Sequence, residues 1–396
     1  MEGGASERSR HQGGTRIAAV SGFARTFGKA GSPLHVAAHS HHPWPDVSYD
    51  AQLHAWDDAA RLLDRKWDFV FESVILAAQG HVARQLALPD PASIAFGPNT
   101  HSFVLRLLSC LPRDRPLRVL TTGSEFMSFA RQMARLEEDG AAAVTRVATE
   151  PFDTFETRFA AEAAKGGHDL VFFSQVFFDS GYVVRDLAGI VGAVKDAATF
   201  VAIDGYHGFM AVSTDLSAVA ARAFYLAGGY KYAMAGEGAC FLHCPPGYGP
   251  RPRDTGWYAG FSALEGGGSG VGYASDGSRF LGATFDVTPL YRFNAVQSWL
   301  GAQGWTPQKM LAHVRGLERA FLSASHSADL SARTLVVADE ARRGRFLAFR
   351  TAKAGAIVER LAAQNIVADH RGDRLRIGFG IYHAQADALR LADALG

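Results

Sequence analysis

The sequence predicts an α/β protein whose large domain holds a mostly parallel sheet between helices, followed by a smaller α+β domain. Between residues 117 and 203, short apolar strands alternate with helical segments, which is typical of parallel strands joined by crossover helices. The 396 residues are enough for one large and one smaller domain. With 48% hydrophobic and 20% charged residues, the composition is that of an ordinary globular protein.

The first half of the chain supplies the elements of this sheet. Apolar spacing of three and four residues predicts helical structure from Tyr49 to Leu88, and a Gly97-Pro98-Asn99 turn precedes a helix through Phe103 to Leu111. Right-handed crossovers place the carboxyl ends of the strands at one edge, where such sheets bind ligands. The alternating segments are strands at 117–121, 143–147, 170–175 and 200–203, and helices at 126–138, 154–164 and 187–197.

The second half departs from this alternation. Strands are expected at 223–226 and 239–243, loops in the glycine-rich stretch 256–282 (residues 265–270 read EGGGSG), and helices at 291–299 and 307–323. Residues 345–396 follow the order strand, helix, strand, strand, helix. We therefore expect a disordered tail (1–15), an N-terminal segment joining the small domain (16–48), a large domain (49–304) and a small domain (305–396).

Charge and cysteine content exclude several classes of protein. Forty basic and 39 acidic residues leave a net charge of +1, which argues against a nucleic-acid or anionic membrane partner. Three cysteines are too few for a disulfide framework and favour a reducing compartment. The polar start has no apolar core like that of a secretory signal, and no run of about 18 apolar residues predicts a transmembrane helix. We expect a cytoplasmic protein.

Two charged residues follow neighbouring strands of the expected sheet. Asp204 comes directly after the strand Phe200–Ile203, and Lys231 lies among glycines and aromatic residues after the next strand. Singly, such an aspartate is often a turn former and such a lysine a solvated loop residue. Together they suggest pyridoxal phosphate (PLP): a carboxylate keeps the pyridine nitrogen protonated, and a desolvated lysine forms a Schiff base with the aldehyde.

These motifs resemble those of fold-type I PLP enzymes of the class V aminotransferase group, and of kynureninase in particular. Asp204-Gly-Tyr-His207 matches the family's Asp-x-x-His element, and Tyr230-Lys231-Tyr232 with its following glycines matches the lysine element. The resemblance implies a seven-stranded type of sheet, PLP as cofactor, a homodimer with shared active sites, and an α-amino acid as the small-molecule substrate. It assigns Asp204 to the pyridine nitrogen, Lys231 to the Schiff base, His207 to the cofactor site, and Tyr230 to catalysis near the phosphate.

Further positions match the family's cofactor and substrate residues. The resemblance places Phe126 on the cofactor ring, residues Thr100, His101 and Ser102 around the phosphate at a helix N-terminus, and Trp257 and Thr284 on the phosphate of the partner subunit. It makes Arg376 the bidentate clamp of the substrate α-carboxylate. Simpler structural roles stay open: a core aromatic residue for Phe126, a dimer-core residue for Trp257 and a surface strand residue for Arg376.

The sequence departs from the family where the substrate side chain is expected. His101 replaces a small hydroxyl residue, Phe129 stands where the family has an aspartate, and a histidine cluster occupies the N-terminal segment that folds over the active site. We expect His39, His41 and Trp44 of this segment to contact the substrate. Kynurenine itself is therefore doubtful as the substrate.

These observations lead to ranked hypotheses. The first is a PLP enzyme that cleaves the Cβ–Cγ bond of an amino acid by kynureninase-like hydrolytic or lyase chemistry, and the alternative is a class V aminotransferase. A cysteine desulfurase is disfavoured because no cysteine follows Cys244. A metal-dependent hydrolase built on His39, His41 and His42 lacks accompanying ligand spacing, so no metal is expected, and an inactive binding module conflicts with the intact Asp204 and Lys231.

Overall fold

The computed structural model describes residues 22–247, 249–263 and 270–395. The predicted N-terminal tail (1–15) and nearly all of the predicted loop 265–270 lie outside the described residues. In the described part of the chain, no helix is long and apolar enough to cross a membrane.

A seven-stranded sheet forms the centre of the large domain, as the sequence predicts. Its strand order is β2-β8-β7-β6-β5-β3-β4, and β8 runs antiparallel to its neighbours β2 and β7 while the other neighbouring pairs are parallel. These strands are β2 (Ile94–Gly97), β3 (Leu117–Thr122), β4 (Ala142–Val147), β5 (Leu170–Ser174), β6 (Phe200–Asp204), β7 (Ala223–Gly228) and β8 (Cys240–His243).

Helices cover both faces of this sheet, and the sheet separates two hydrophobic clusters. Strand β5 is buried along its whole length, with alternate residues facing opposite clusters: Phe173 joins one with Phe155 and Phe159, and Phe172 joins the other with Phe129. The helices are α1 (Ala24–Phe27), α2 (Val47–Leu62), α3 (Lys66–Phe69), α4 (Leu76–Leu86), α5 (Thr100–Cys110), α6 (Met127–Glu138), α7 (Phe152–Ala164), α8 (Leu187–Ala193) and α9 (Thr288–Ala302).

The predicted helical region from Tyr49 to Leu88 is broken rather than continuous. Leu63 ends α2 with a φ of 51° and a ψ of −125°, outside the helical region. A short 3-10 turn, α3 and a π-helical turn (Val70–Ile75) then lead into α4. Apolar spacing detects the helical period but does not locate such a change of direction.

The C-terminal region forms a second layered unit. A three-stranded antiparallel sheet of β9 (Leu347–Arg350), β11 (Asp369–Arg371) and β12 (Arg374–Ile377) shares an apolar cluster with residues of α10 (Pro307–Ala324), α11 (Ala354–Ala363) and α12 (Gln385–Leu395). The N-terminal segment joins it, because β1 (Leu34–His35) pairs in parallel with β10 (Ile366–Val367). Ala37 forms an isolated parallel β-bridge with Gly378, and the chain then enters the large domain.

Candidate functional site

A cavity of about 600 Å³ opens at the carboxyl edge of the central sheet. Its size is typical of a small-molecule site. The floor is made by the ends of β5 and β6 and by the loop after β7, and the walls are made by the beginning of α5 and by one face of α6. The lining residues are Asn99, Thr100, His101, Phe126, Ser128, Arg131, Gln132, Arg135, Ser174, Val176, Phe178, Asp204, Tyr206, His207, Tyr230 and Lys231.

Asp204 is the last residue of β6 and brings a carboxylate to the cavity floor. Its Oδ1 accepts a hydrogen bond from the backbone N–H of Tyr206 at 2.8 Å. Burial raises the pKa of the Asp204 carboxyl to about 6, against the opposing effects of this bond and of Lys231. Burial thus disfavours the charged form of this carboxyl group, and a cationic ligand group beside it would stabilise that form.

Lys231 lies in the loop between β7 and the antiparallel β8, so its amine reaches the same edge of the sheet. Its Nζ donates to the backbone carbonyls of His39 at 3.1 Å and Ser40 at 3.3 Å, and lies 5.9 Å from the ring centroids of both Tyr206 and Tyr230. Burial, and next the charge of Arg376, lower the pKa of the Lys231 amine to about 7. Near neutral pH a large part of this amine is uncharged and nucleophilic.

The lysine loop is shaped by a close approach of Trp44. Gly236 has a φ of +72°, and a Cβ at this position would lie 2.3 Å from the Trp44 ring. Arg292 fixes the other side, since it lies 4.9 Å from the Trp44 ring and donates to the carbonyls of Ala235 and Glu237. The structure therefore places Trp44 against the lysine loop, outside the cavity lining, although the sequence predicts a substrate contact.

The N-terminus of α5 forms one wall of the cavity at Thr100 and His101. Asn99 caps this helix by accepting the backbone N–H of Ser102 at 2.9 Å and its hydroxyl at 3.1 Å. Ser102 is thereby engaged in the cap and does not line the cavity. Because first-turn amides have no carbonyl partner within the helix and the dipole adds positive potential, this end of α5 is suited to a phosphate.

The phenyl ring of Phe126 and the imidazole of His207 lie beside the cavity floor. Phe126, at the N-cap of α6, is 41% exposed and packs edge-on against Phe178 with centroids 5.6 Å apart. His207 is buried, and its Nδ1 has no hydrogen-bond partner among the described residues. Burial holds the pKa of the His207 imidazole well below its usual value, so the ring is neutral. Phe126 thus offers an exposed ring, and His207 offers a ring nitrogen that has no hydrogen-bond partner in the described part of the chain.

Arg376 is buried in an ion pair and is hydrogen-bonded to Phe178, a residue of the cavity lining. Its Nε donates to Asp369 Oδ1 at 2.9 Å, its Nη2 to Asp369 Oδ2, and its Nη1 to the carbonyl of Phe178 at 2.5 Å. His39 Nε2 lies 2.8 Å from the same Asp369 Oδ1. Although burial opposes it, the His39 and Arg376 contacts hold the pKa of Asp369 well below its usual value. The structure thus brings together two predicted residues, His39 and Arg376, through an aspartate that the sequence did not single out.

The other histidines of the N-terminal cluster point to different partners. His41 is exposed, with its ring 5.0 Å from that of Tyr230 at the cavity edge. His42 is buried, and its Nδ1 bonds to the carbonyl of Pro43 at 2.9 Å. Because the rings of His39, His41 and His42 diverge, and because the described residues contain no group of three or more potential metal-ligating side chains, nothing here supports the metal-hydrolase alternative.

Trp257 and Thr284 lie together outside the cavity lining. The Trp257 Nε1 donates to Thr284 Oγ1 at 3.3 Å, and the indole is 45% exposed. Gly256 and Gly282 bring the two segments into contact, since a Cβ at Gly256 would lie 2.4 Å from the backbone carbon of Gly282. An exposed, hydrogen-bonded pair away from its own cavity is compatible with the predicted contact to a partner subunit, which remains a prediction.

Sequence reasoning missed Glu125 and a polar face of α6. Glu125 is buried beside the cavity floor and accepts from the hydroxyls of Thr122 and Ser174, each at 2.6 Å. Burial raises the pKa of the Glu125 carboxyl to about 7. On α6, Ser128, Arg131, Gln132 and Arg135 all line the cavity. Their spacing of three and four residues was visible in the sequence, but nothing in the sequence placed this face over the cavity.

Comparisons with known proteins agree with this architecture. Residues 315–395 match the family model described as the kynureninase C-terminal domain. A cystine C-S lyase in complex with its product cysteine persulfide is 17% identical, with a TM-score of 0.76 over 92% of this chain and 97% of that chain. A lysine variant of C-DES, solved with glycine covalently linked to the PLP cofactor, is 16% identical with a TM-score of 0.77 over 94% and 98%.

Cysteine desulfurases share the same fold. The enzyme from Escherichia coli is 16% identical with a TM-score of 0.76, covering 94% of this chain and 96% of that chain. The chain therefore has the fold of fold-type I PLP enzymes, as the sequence motifs predict. A search of curated protein sequences found no significant match.

Proposed function

We propose that this protein is a PLP-dependent enzyme that acts on an α-amino acid. The main support for the proposal is that Asp204 and Lys231 line the same cavity, Asp204 at the end of one strand and Lys231 after its parallel neighbour. A buried carboxylate and a desolvated amine are the two groups that PLP chemistry requires at its ring nitrogen and its aldehyde. The kynureninase C-terminal match over residues 315–395 supports the same proposal.

The cavity residues fit PLP group by group. The α5 N-terminus at Thr100 and His101 suits the phosphate, and Asp204 suits a protonated pyridine nitrogen. Phe126 offers an exposed ring for stacking, while His207 offers a neutral imidazole whose Nδ1 has no partner in the described structure. When bound, PLP supplies an aldehyde for the substrate amine and a pyridinium ring that accepts electrons from Cα. Trp257 and Thr284 of a second subunit would complete the phosphate site.

Lys231 then serves as the group that holds the aldehyde and moves a proton at the substrate Cα. A pKa of about 7 lets the amine both accept and return a proton near neutral pH. Its hydrogen bonds to the carbonyls of His39 and Ser40 keep the Nζ in place when it is free. Asp204 acts through the ring nitrogen, and the Tyr230 ring borders the lysine on the cavity side.

Arg376 is proposed to bind the substrate α-carboxylate. A guanidinium carries five N–H groups, and three of its N–H groups account for the bonds to Asp369 and Phe178. The remaining N–H groups of Nη1 and Nη2 can receive a carboxylate while Asp369 and His39 hold the guanidinium in orientation. Arg376 is buried and does not itself line the cavity, whereas Phe178, whose carbonyl it binds, does.

For the reaction itself we favour kynureninase-like cleavage at Cβ–Cγ, with aminotransfer as the alternative. Both reactions begin with removal of the Cα proton by Lys231 and differ in their later steps. A desulfurase that carries persulfide on a cysteine is disfavoured, because all three cysteines of this sequence are buried. Burial also raises the pKa of all three thiols, Cys110 to about 12, Cys240 to about 11 and Cys244 well above its usual value.

A panel of amino acids tests the proposal. The protein supplied with PLP should gain a near-visible absorption band that is lost in Lys231→Ala, and should consume at least one amino acid. Release of alanine without a keto acid supports cleavage, whereas ping-pong dependence on a keto acid supports aminotransfer. A protein that gains no such band with PLP would refute the proposal.

A further inference from the structure

The cavity wall formed by α6 is strongly cationic. Ser128, Arg131, Gln132 and Arg135 occupy one face of this helix and line the cavity, while Phe129 and Met133 face the core. A serine hydroxyl, an amide and two guanidinium groups are hydrogen-bond donors. Among the described lining residues, Asp204 is the one carboxylate, and it lies on the floor rather than on this wall.

Arg131 differs from Arg135 in that its guanidinium has no acidic partner among the described residues. Arg135 is paired with Asp139 and lies 3.8 Å from Glu138. No hydrogen bond or ion pair joins Arg131 to another residue in ranges 22–247, 249–263 and 270–395. Arg376, which is proposed to bind the α-carboxylate, already has Asp369 as its counter-ion. Arg131 is therefore the cation of the wall that is available to a ligand.

We propose that Arg131 binds an anionic group at the end of the substrate side chain, so that the substrate is an amino acid with an acidic side chain. The inference rests on the proposed function and adds its substrate class. The α5 N-terminus and Arg376 account for the cofactor phosphate and the α-carboxylate, which leaves Arg131 for a third anion. A planar guanidinium binds a carboxylate bidentately, and Gln132 and Ser128 offer further donors on the same face.

The acidic amino acids and their amides provide matched probes. L-Glutamate and L-glutamine, like L-aspartate and L-asparagine, have nearly the same shape and differ in side-chain charge. Exchange of the Cα proton into D2O, followed by NMR on the PLP-loaded protein, measures a step common to cleavage and aminotransfer. We expect the acid to exchange faster than its amide by about ten-fold or more, the usual effect of one charged hydrogen bond.

Variants at α6 assign this preference to Arg131. Arg131→Gln should bring the acid-to-amide ratio close to one by slowing the acid alone, and Arg131→Lys should keep part of the preference. Arg390→Gln is the matched control, because Arg390 is exposed on α12 and outside the cavity lining. PLP affinity, measured by titration of the absorption band, should stay the same in Arg131→Gln.

Three results would overturn the inference. The first is a wild-type protein that exchanges the acid no faster than its amide. The second is an acid-to-amide ratio of exchange rates that Arg131→Gln leaves unchanged. The third is a fall in PLP affinity in Arg131→Gln, which would assign the guanidinium to the cofactor phosphate. If the Cα proton of no tested amino acid exchanges with D2O, that result contradicts the proposed function and leaves the role of Arg131 to be tested separately. Calorimetric titration with glutarate and butyrate then decides the inference, since Arg131→Gln must weaken binding of the dicarboxylate selectively.

Discussion

Lys231 is anchored by His39: the lysine Nζ donates to the His39 backbone carbonyl at 3.1 Å. The imidazole of the same histidine bonds Asp369, which in turn pairs with Arg376. One residue of the N-terminal segment thus links the proposed Schiff-base lysine to the proposed carboxylate clamp. Substitutions at different points of this linkage should therefore have separable effects on cofactor capture, substrate binding and stability.

The depressed pKa of Lys231 predicts when the apoprotein captures PLP. Only the neutral amine attacks an aldehyde, so the capture rate should rise with pH through a midpoint near 7. Arg376→Gln removes a cation that lowers this pKa and should move the midpoint upward, while Arg390→Gln should not. Stopped-flow absorbance measures the rate. A wild-type midpoint near the ordinary lysine value would contradict the prediction.

Replacing Asp204 tests the role of its carboxylate. Asp204→Asn preserves shape but removes the charge that favours a protonated pyridine nitrogen, so kcat should fall by about a hundred-fold or more. Asp204→Glu, which restores a carboxylate, should recover part of the loss. Circular dichroism in the near ultraviolet checks that both variants remain folded. Equal activity of Asp204→Asn and wild type would exclude the proposed contact.

His39 and His41 should respond differently to truncation. His39→Ala empties a fully buried position stacked on Phe346 and leaves Asp369 without one partner, so unfolding free energy should fall by about 2–4 kcal/mol. The KM for the amino acid should rise as Arg376 loses support. His41→Ala removes an exposed ring and should change stability by no more than about 0.5 kcal/mol.

Denaturant unfolding and steady-state kinetics measure both histidine variants. If His41 contacts the substrate, as its place beside Tyr230 suggests, its truncation raises KM without lowering stability. A His39→Ala protein as stable as wild type would show that the His39–Asp369 bond contributes nothing to the fold.

Mixed dimers test the predicted sharing of active sites. Trp257→Ala and Lys231→Ala should each be nearly inactive alone, since one removes the phosphate contact and the other the lysine. After mixing and subunit exchange, half of the dimers are hybrids with one intact site, so activity should return to about a quarter of wild type. Without recovery, Trp257 would serve its own subunit's site or none.

Strand order in the sequence was enough to locate part of the candidate site. Asp204 and Lys231 follow successive predicted strands, and they share one edge of the sheet because β6 and β7 are parallel neighbours. Asp369 was missed because its role depends on register: the antiparallel pairing of β11 with β12 sets Asp369 opposite Arg376. The packing of Trp44 on Gly236 joins segments far apart in the chain and could not be predicted; the expected contact of Trp44 with the substrate remains a prediction.

Reductive labelling tests the proposed Schiff-base lysine most directly. The protein incubated with PLP is reduced with borohydride, digested and analysed by mass spectrometry to locate the modified lysine. We predict one phosphopyridoxyl group per chain, attached to Lys231. An amino acid substrate added before the reduction should lower this labelling, because its amine displaces Lys231 from the cofactor aldehyde. Labelling spread over the exposed lysines, or none on Lys231, would contradict the assignment of Lys231.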